Sequence, residues 1–398
     1  MTEARKSVTA PDAAGRTDRG MEQNGVCGAD QGMEQKAVCG ADRGMDPDTV
    51  CGADRGMDSD TVCGADRGMD QDTACGADRG SGCPAGAEKD VKNGPDVRME
   101  VEIAGVKFKN PVFTASGTYG SGMEYSEWID LSRLGAVTAK GISDVPWEGN
   151  PAPRVAETAS GMLNCIGLQN PGVDAFLERD LPFLRKAGCG VIVNVAGHEP
   201  DEYYRVIDRL RDVPGIDMLE INISCPNVKA GGLVLGTDPG MVEEITRGCK
   251  AHATQPVMMK LTPNVTDIKV LAKACEAGGA DAISLINTLT GMRIDIERQT
   301  FVLSNRVGGL SGPAIMPVAL RMVYECAQAV SIPIVGMGGI SCAEDAVEFL
   351  LAGATAVSVG MANFINPKVT LEIIDGLKAY CVRHGVADIR KLTGAVKK

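Results

Sequence analysis

From residue 99 onward, short apolar runs of strand length alternate with amphipathic segments of helix length, eight times over. The strands are expected at Val112–Thr114, Ala136–Ala139, Val191–Val195, Met218–Asn222, Val257–Leu261, Ala282–Ile286, Ile334–Gly336 and Ala356–Val359. Helices are expected near 124–133, 173–186, 199–212, 239–252, 266–278, 313–329, 342–352 and 368–383. Eight such units in about 300 residues predict an α/β fold of the (β/α)8 TIM-barrel type. A doubly wound sheet is the main alternative, but it usually needs fewer units. Ahead of the first strand, Met99 to Lys109 alternates apolar and polar around Ala104-Gly105, which predicts an N-terminal β-hairpin.

Residues 1–98 obey a different rule. They contain no Leu, Ile, Phe, Tyr or Trp, and they repeat with a period of 12. Val26-Cys27-Gly28-Ala29-Asp30 recurs from Val38, Val50 and Val62, and from Ala74 with alanine in place of valine. Such a segment cannot bury enough apolar surface to offset the entropy lost on ordering. It is expected to be a disordered low-complexity tail, leaving 99–398 as the folded domain. It carries 12 Lys/Arg against 19 Asp/Glu, a net charge of −7. A metal-binding or disulfide array is the sharper alternative, but each repeat holds one thiol and no Cys-x-x-Cys occurs. Removal of the tail is expected to leave activity intact.

Charge and cysteine usage narrow the function classes. The formal net charge is −12 and no basic stripe stands out, which argues against a nucleic-acid partner. The longest uncharged runs, 326–343 and 350–367, are broken by Gly, Pro, Ser, Asn and Gln, unlike membrane spans. The N-terminus has no apolar stretch of a secretory signal. Of 14 cysteines, six fall in the repeats and the segment just after them, and eight are scattered singly through the domain, as in a reducing cytoplasm. His198, His252 and His384 lie far apart, and no histidine–cysteine spacing of a metal site occurs.

Polar residues recur at the C-terminal end of each expected strand. They are Ser116-Gly117, Lys140-Gly141, Asn194, Asn222 with Cys225, Lys260, Asn287-Thr288, Gly338-Gly339 and Gly360. In a barrel all of them face one mouth, where such folds keep their chemistry. The small residues of Gly336-Met337-Gly338-Gly339 and Val359-Gly360-Met361 allow backbone N–H groups to approach a phosphate. A tight turn needing positive φ explains one such glycine but explains the pair of loops less well. Lys140 and Lys260 end apolar strands, and a lysine inside a closed mouth needs an anionic partner. The alternative is a snorkelling surface lysine. In the run Asn222-Ile223-Ser224-Cys225-Pro226-Asn227, two asparagines flank a thiol. They can hydrogen-bond a planar, amide-rich ligand while Cys225 serves as base or nucleophile. The plainer reading of Cys225 is a buried structural cysteine.

These motifs together resemble class 1 dihydroorotate dehydrogenases, the soluble FMN enzymes. The resemblance runs through Ala115-Ser116-Gly117, residues 150–170 (N-P-A-P-R-V-A-E-T-A-S-G-M-L-N-C-I-G-L-Q-N), 194–197, 222–232, 260–268, 286–288, 308–317 and 336–339. The forms N-x-I-G-L-Q-N-P-G and N-V-K-x-G-G are similar to subtype 1B, which passes electrons to NAD through a separate subunit carrying FAD and a [2Fe–2S] cluster. The resemblance implies oxidation of dihydroorotate to orotate in pyrimidine biosynthesis, with Cys225 as general base, and a homodimer core within a heterotetramer. It implies that Ser116, Lys140, Gly141, Asn194, Asn222, Lys260, Ile286 and Gly312 hold the flavin, with Gly338, Gly339, Gly360 and Met361 at its phosphate. It places Lys140, Asn164, Cys165, Ile166, Gly167, Leu168, Asn222, Asn227, Asn287 and Thr288 around the substrate. Cys165 departs from the family's usual alanine, and the tail is outside the family pattern. The membrane-bound class 2 enzymes use serine as base, so Cys225 argues against them. A dihydropyrimidine dehydrogenase-like barrel, a fumarate-linked class 1A enzyme, a non-redox phosphate-binding barrel and a passive scaffold are the rival readings.

Overall fold

The computed structural model of the chain describes residues 96–223 and 235–397. Within them, eight parallel strands close into a barrel: β1 (Val112–Thr114), β2 (Ala136–Thr138), β3 (Gly190–Val195), β4 (Met218–Asn222), β5 (Val257–Lys260), β6 (Ala282–Leu285), β7 (Ile334–Met337) and β8 (Ala356–Val359). Each strand pairs with its neighbours in sequence, and β8 returns to β1 through Val357↔Val112, Ser358↔Phe113 and Val359↔Thr114. The expected strands therefore stand, with ends shifted by one residue at most. Their near-continuous burial follows from packing against side chains inside the barrel and helices outside it.

The helices bury one face each. In Pro200–Leu210 the buried set is Tyr203, Val206, Ile207 and Leu210, the i, i+3, i+4, i+7 spacing of an amphipathic helix. Helix Pro239–His252 starts where the Asp238 carboxylate accepts from the Met241 N–H at 2.8 Å, with proline in its first turn. Segment 124–133 differs from expectation. It forms two 3-10 turns, Tyr125–Glu127 and Leu131–Arg133, because Asp130 is extended between them and its carboxylate caps the second through the Ser132 N–H. The helix expected over 173–186 contains a π turn, Phe176–Asp180. Pro182 has no N–H to donate to the Glu178 carbonyl, so the regular ladder is interrupted there.

The predicted hairpin pairs Val101–Ile103 with Val106–Phe108 around Ala104 and Gly105, both at positive φ. It seats Phe108 against the start of β3, where a Cβ on Gly190 would come within 2.7 Å of the ring. Two antiparallel pieces have no counterpart in the sequence reading. Leu289–Met292, Val307–Ser311, Gly161–Asn164 and Val155–Thr158 form a four-stranded sheet in that order. Ile294–Asp295 and Thr300–Phe301 form a short hairpin beside it in sequence.

One boundary needs correcting. Val97 and Arg98 fall in the expected tail, yet Val97 is 5% exposed within the core, and the Arg98 N–H donates to the Ala387 carbonyl at 2.9 Å. Val97 and Arg98 therefore pack with the barrel domain. A chain starting at Asp96 is expected to match the full-length protein in urea denaturation. One starting at Met99 is expected to lose about 1.5–3 kcal/mol, the worth of burying a valine side chain.

Candidate active site

The C-terminal ends of the strands and the four-stranded sheet enclose a cavity of about 260 Å³. Ser116 follows β1, Lys140 and Gly141 follow β2, and Asn222 and Lys260 end β4 and β5. Ile286, Asn287 and Thr288 follow β6, Gly338 and Gly339 follow β7, and Gly360 and Met361 follow β8. Gly312 and the strand residue Asn164, with Ile166, Gly167 and Leu168 beyond it, complete the wall. The unexpected sheet thus supplies one side of the site.

At Gly338 and Gly339 the backbone itself faces the cavity. Their φ values, +125° and +80°, lie in the left-handed region that favours glycine. A Cβ on Gly338 would sit 2.8 Å from the Ala319 Cβ, and one on Gly339 would sit 2.6 Å from the Met316 Cβ. The direction a side chain would take is therefore filled by helix Met316–Ala327 and the turn before it.

The opposite wall is rich in amides. The Asn164 side chain donates to the Gly309 carbonyl at 3.3 Å, and the Asn287 amide reaches the Asn222 side-chain oxygen at 3.5 Å. The Thr288 N–H donates to the Asn287 side-chain oxygen at 2.8 Å. From the outer layer, the Tyr203 hydroxyl donates to the Asn222 carbonyl at 3.0 Å.

Below the cavity lies a charged cluster that the sequence reading missed. Glu220, inside β4, is 1% exposed. One carboxylate oxygen accepts from the Asn194 side-chain amide at 2.6 Å and from the Lys260 ammonium at 3.3 Å. The other accepts from the Ser284 hydroxyl at 2.9 Å. Four consecutive strands, β3 to β6, each give one side chain to it. The available signal was an acidic residue in the middle of the apolar run Met218–Asn222.

Asn194 itself does not line the cavity. Its side-chain oxygen lies directly behind Gly141, where a Cβ would approach it to 2.6 Å, and it has no donor among the described residues. Cys165 is a correction to the substrate set. It is fully buried with Ala156, Leu163 and Leu303, its sulfur near the Pro153 carbonyl and the Ser304 hydroxyl. The chain is extended there, so Asn164 and Ile166 face the cavity and Cys165 faces away. Cys225 and Asn227 lie outside the described residues, as do Gly231 and Gly232 of the glycine-rich stretch after them.

No described cysteine lines the cavity. Burial pushes the thiols of Cys249, Cys275 and Cys326 up to about 12. No group of metal-ligating side chains occurs among the described residues. Nor, among them, is any helix long and apolar enough to cross a membrane.

The sequence that builds this site has known relatives. Residues 98–381 match the family model of dihydroorotate dehydrogenase. The chain belongs to the dihydroorotate dehydrogenase family. A relative from Lachnoclostridium phytofermentans, named dihydroorotate dehydrogenase B (NAD(+)), catalytic subunit, is 61% identical over 301 residues, covering 76% of this chain and 100% of the relative. Proteins of the same name from Alkaliphilus metalliredigens and Trichlorobacter lovleyi are 59% and 54% identical, each over 75% of this chain and 99% and 98% of their own lengths. Those alignments leave about a quarter of this chain uncovered.

The elevated thiols give a check on this packing. Iodoacetamide at pH 8, followed by peptide mapping, is expected to leave Cys249, Cys275 and Cys326 unmodified until the protein is unfolded. Labelling of all three in the folded protein, at the rate of a free thiol, would contradict their burial.

Proposed function

We propose that this chain is the catalytic subunit of an NAD-linked dihydroorotate dehydrogenase, oxidising (S)-dihydroorotate to orotate in pyrimidine biosynthesis. The observation that carries the reading is the joining, in one cavity, of a backbone-lined glycine wall at β7 and β8 with an amide wall at β4, β6 and the added sheet. One wall suits a phosphate and the other suits a cyclic imide bearing a carboxylate.

The residues fit FMN. Gly338 and Gly339 present backbone where a phosphate needs N–H donors. Ser116, Gly141, Ile286 and Gly312 would border the ring and ribityl chain, and Gly360 and Met361 would join the phosphate loop. When bound, FMN supplies the acceptor for the hydride that leaves C6 of the substrate.

The chain's own groups do the rest. Asn164, Asn222, Asn227, Asn287 and Thr288 hold the carboxylate and ring amides, with backbone from Ile166 to Leu168. Lys140 faces both substrate and cofactor. Lys260 offers a positive charge from the floor, so negative charge gathering in the cavity is stabilised. Cys225 takes the proton from C5. It follows Asn222 by three positions, and Asn222 reaches the cavity. A thiol, with an ordinary pKa of about 8.5, needs only a modest downward shift to serve as a base near neutrality. Electrons then leave through a separate iron–sulfur flavoprotein subunit carrying FAD and a [2Fe–2S] cluster, bound to a homodimer of this chain. Residues 1–95 are dispensable for the chemistry.

Cys225→Ala is expected to retain FMN and to bind orotate, yet to be reduced by dihydroorotate roughly 10²–10⁴-fold more slowly in stopped-flow absorbance. A near-normal rate would remove the thiol from this role. In steady state, NAD is expected to serve as acceptor only when the partner subunit is added. Brisk fumarate reduction by the isolated chain would instead place it with the fumarate-linked enzymes.

A further inference from the structure

Glu220 is an expensive residue to keep where it is. A glutamine would fill the same volume and hydrogen-bond the same neighbours without a buried charge. Among the described residues its only ion pair is with Lys260, whose side chain is 5% exposed. At 3.3 Å this contact is longer than the 2.7–2.9 Å of a tight charge-assisted hydrogen bond. The closest partner of that carboxylate oxygen is the Asn194 amide at 2.6 Å. Lys260 meanwhile lines the cavity, so its ammonium lies between a carboxylate beneath it and whatever occupies the space above.

We propose that Glu220 is a positioning residue that holds Lys260 under the flavin and offsets its charge, thereby setting how much more tightly the site holds reduced than oxidised FMN. This rests on the flavin-binding reading above. With the carboxylate in place the floor is a neutral pair with its positive end upward, fixed laterally by Asn194 and Ser284. The ammonium attracts the negative charge of a reduced flavin, and the carboxylate behind it opposes that attraction. Loss of the carboxylate charge leaves the floor more favourable to an anion. Loss of the ammonium has the opposite effect.

The test is the midpoint potential of the isolated, FMN-loaded chain, measured by dye-equilibrated absorbance titration for the parent, Glu220→Gln, Glu220→Asp and Lys260→Met. Glu220→Gln is expected to raise the preference for reduced over oxidised FMN at least tenfold, an upward shift of about 30 mV for a two-electron couple. Lys260→Met is expected to shift it downward. General damage to the site would move both variants the same way, so a common direction overturns the proposal, as does an unshifted Glu220→Gln. Glu220→Asp keeps the charge and is expected to stay within threefold of the parent. Should the glutamine variant fail to load flavin, Glu220→Asp carries the test together with Lys260→Met: a shift beyond threefold in Glu220→Asp, or an upward or absent shift in Lys260→Met, overturns the proposal. A parent chain that binds no FMN would instead refute the functional reading itself.

Discussion

The hydrogen-bonded seam between β8 and β1 turns a run of eight β/α units into a closed ring. With Val357, Ser358 and Val359 paired to Val112, Phe113 and Thr114, the barrel strands have no unpaired edge. Closure also fixes polarity. Because all strands are parallel, every C-terminal end opens on the same side, and residues as far apart in sequence as Ser116 and Met361 border one cavity. The hairpin and Phe108 meet the opposite end of β3, so the two ends of the ring differ in kind: one is packed and one is chemical.

Much of this was legible in the sequence because the signals were periodic. The barrel strands are short apolar runs flanked by helical patterns, and their ends came out within a residue. Helix 124–133 was misread because Asp130 looks like an ordinary solvent-facing residue until its carboxylate is seen capping a second turn. The four-stranded sheet escaped because two of its strands lie within the β2–β3 connection and two within the β6–β7 connection. Each half pairs within its own connection, but the seam that joins them, Val307–Ser311 against Gly161–Asn164, is long-range, and nothing local announces it. The packing of Val97 and Arg98 was hidden for a similar reason, since Arg98 pairs with Asp388 near the C-terminal end of the chain.

Among the described residues, those expected at the site line one cavity, with two exceptions of different origin. Cys165 sits between two cavity residues in sequence, but strand alternation turns it to the other side. Asn194 sits one layer below the wall. Glu220 was missed altogether, because a motif reading begins at Asn222 and treats the preceding strand as scaffold. Yet the floor of the site is built from strand interiors: Asn194, Glu220, Lys260 and Ser284 come from four neighbouring strands at adjoining register positions. A chemistry read only from loops leaves out the layer that polarises it.

The hydroxyl of Tyr203 gripping the Asn222 carbonyl has a wider implication. Tyr203 belongs to a helix of the outer shell, whereas Asn222 is the last strand residue before the thiol-bearing stretch. That bond ties the last residue of β4 to a helix outside the barrel. The end of a strand that lines the cavity is thus moored from outside the ring as well as by its two neighbouring strands.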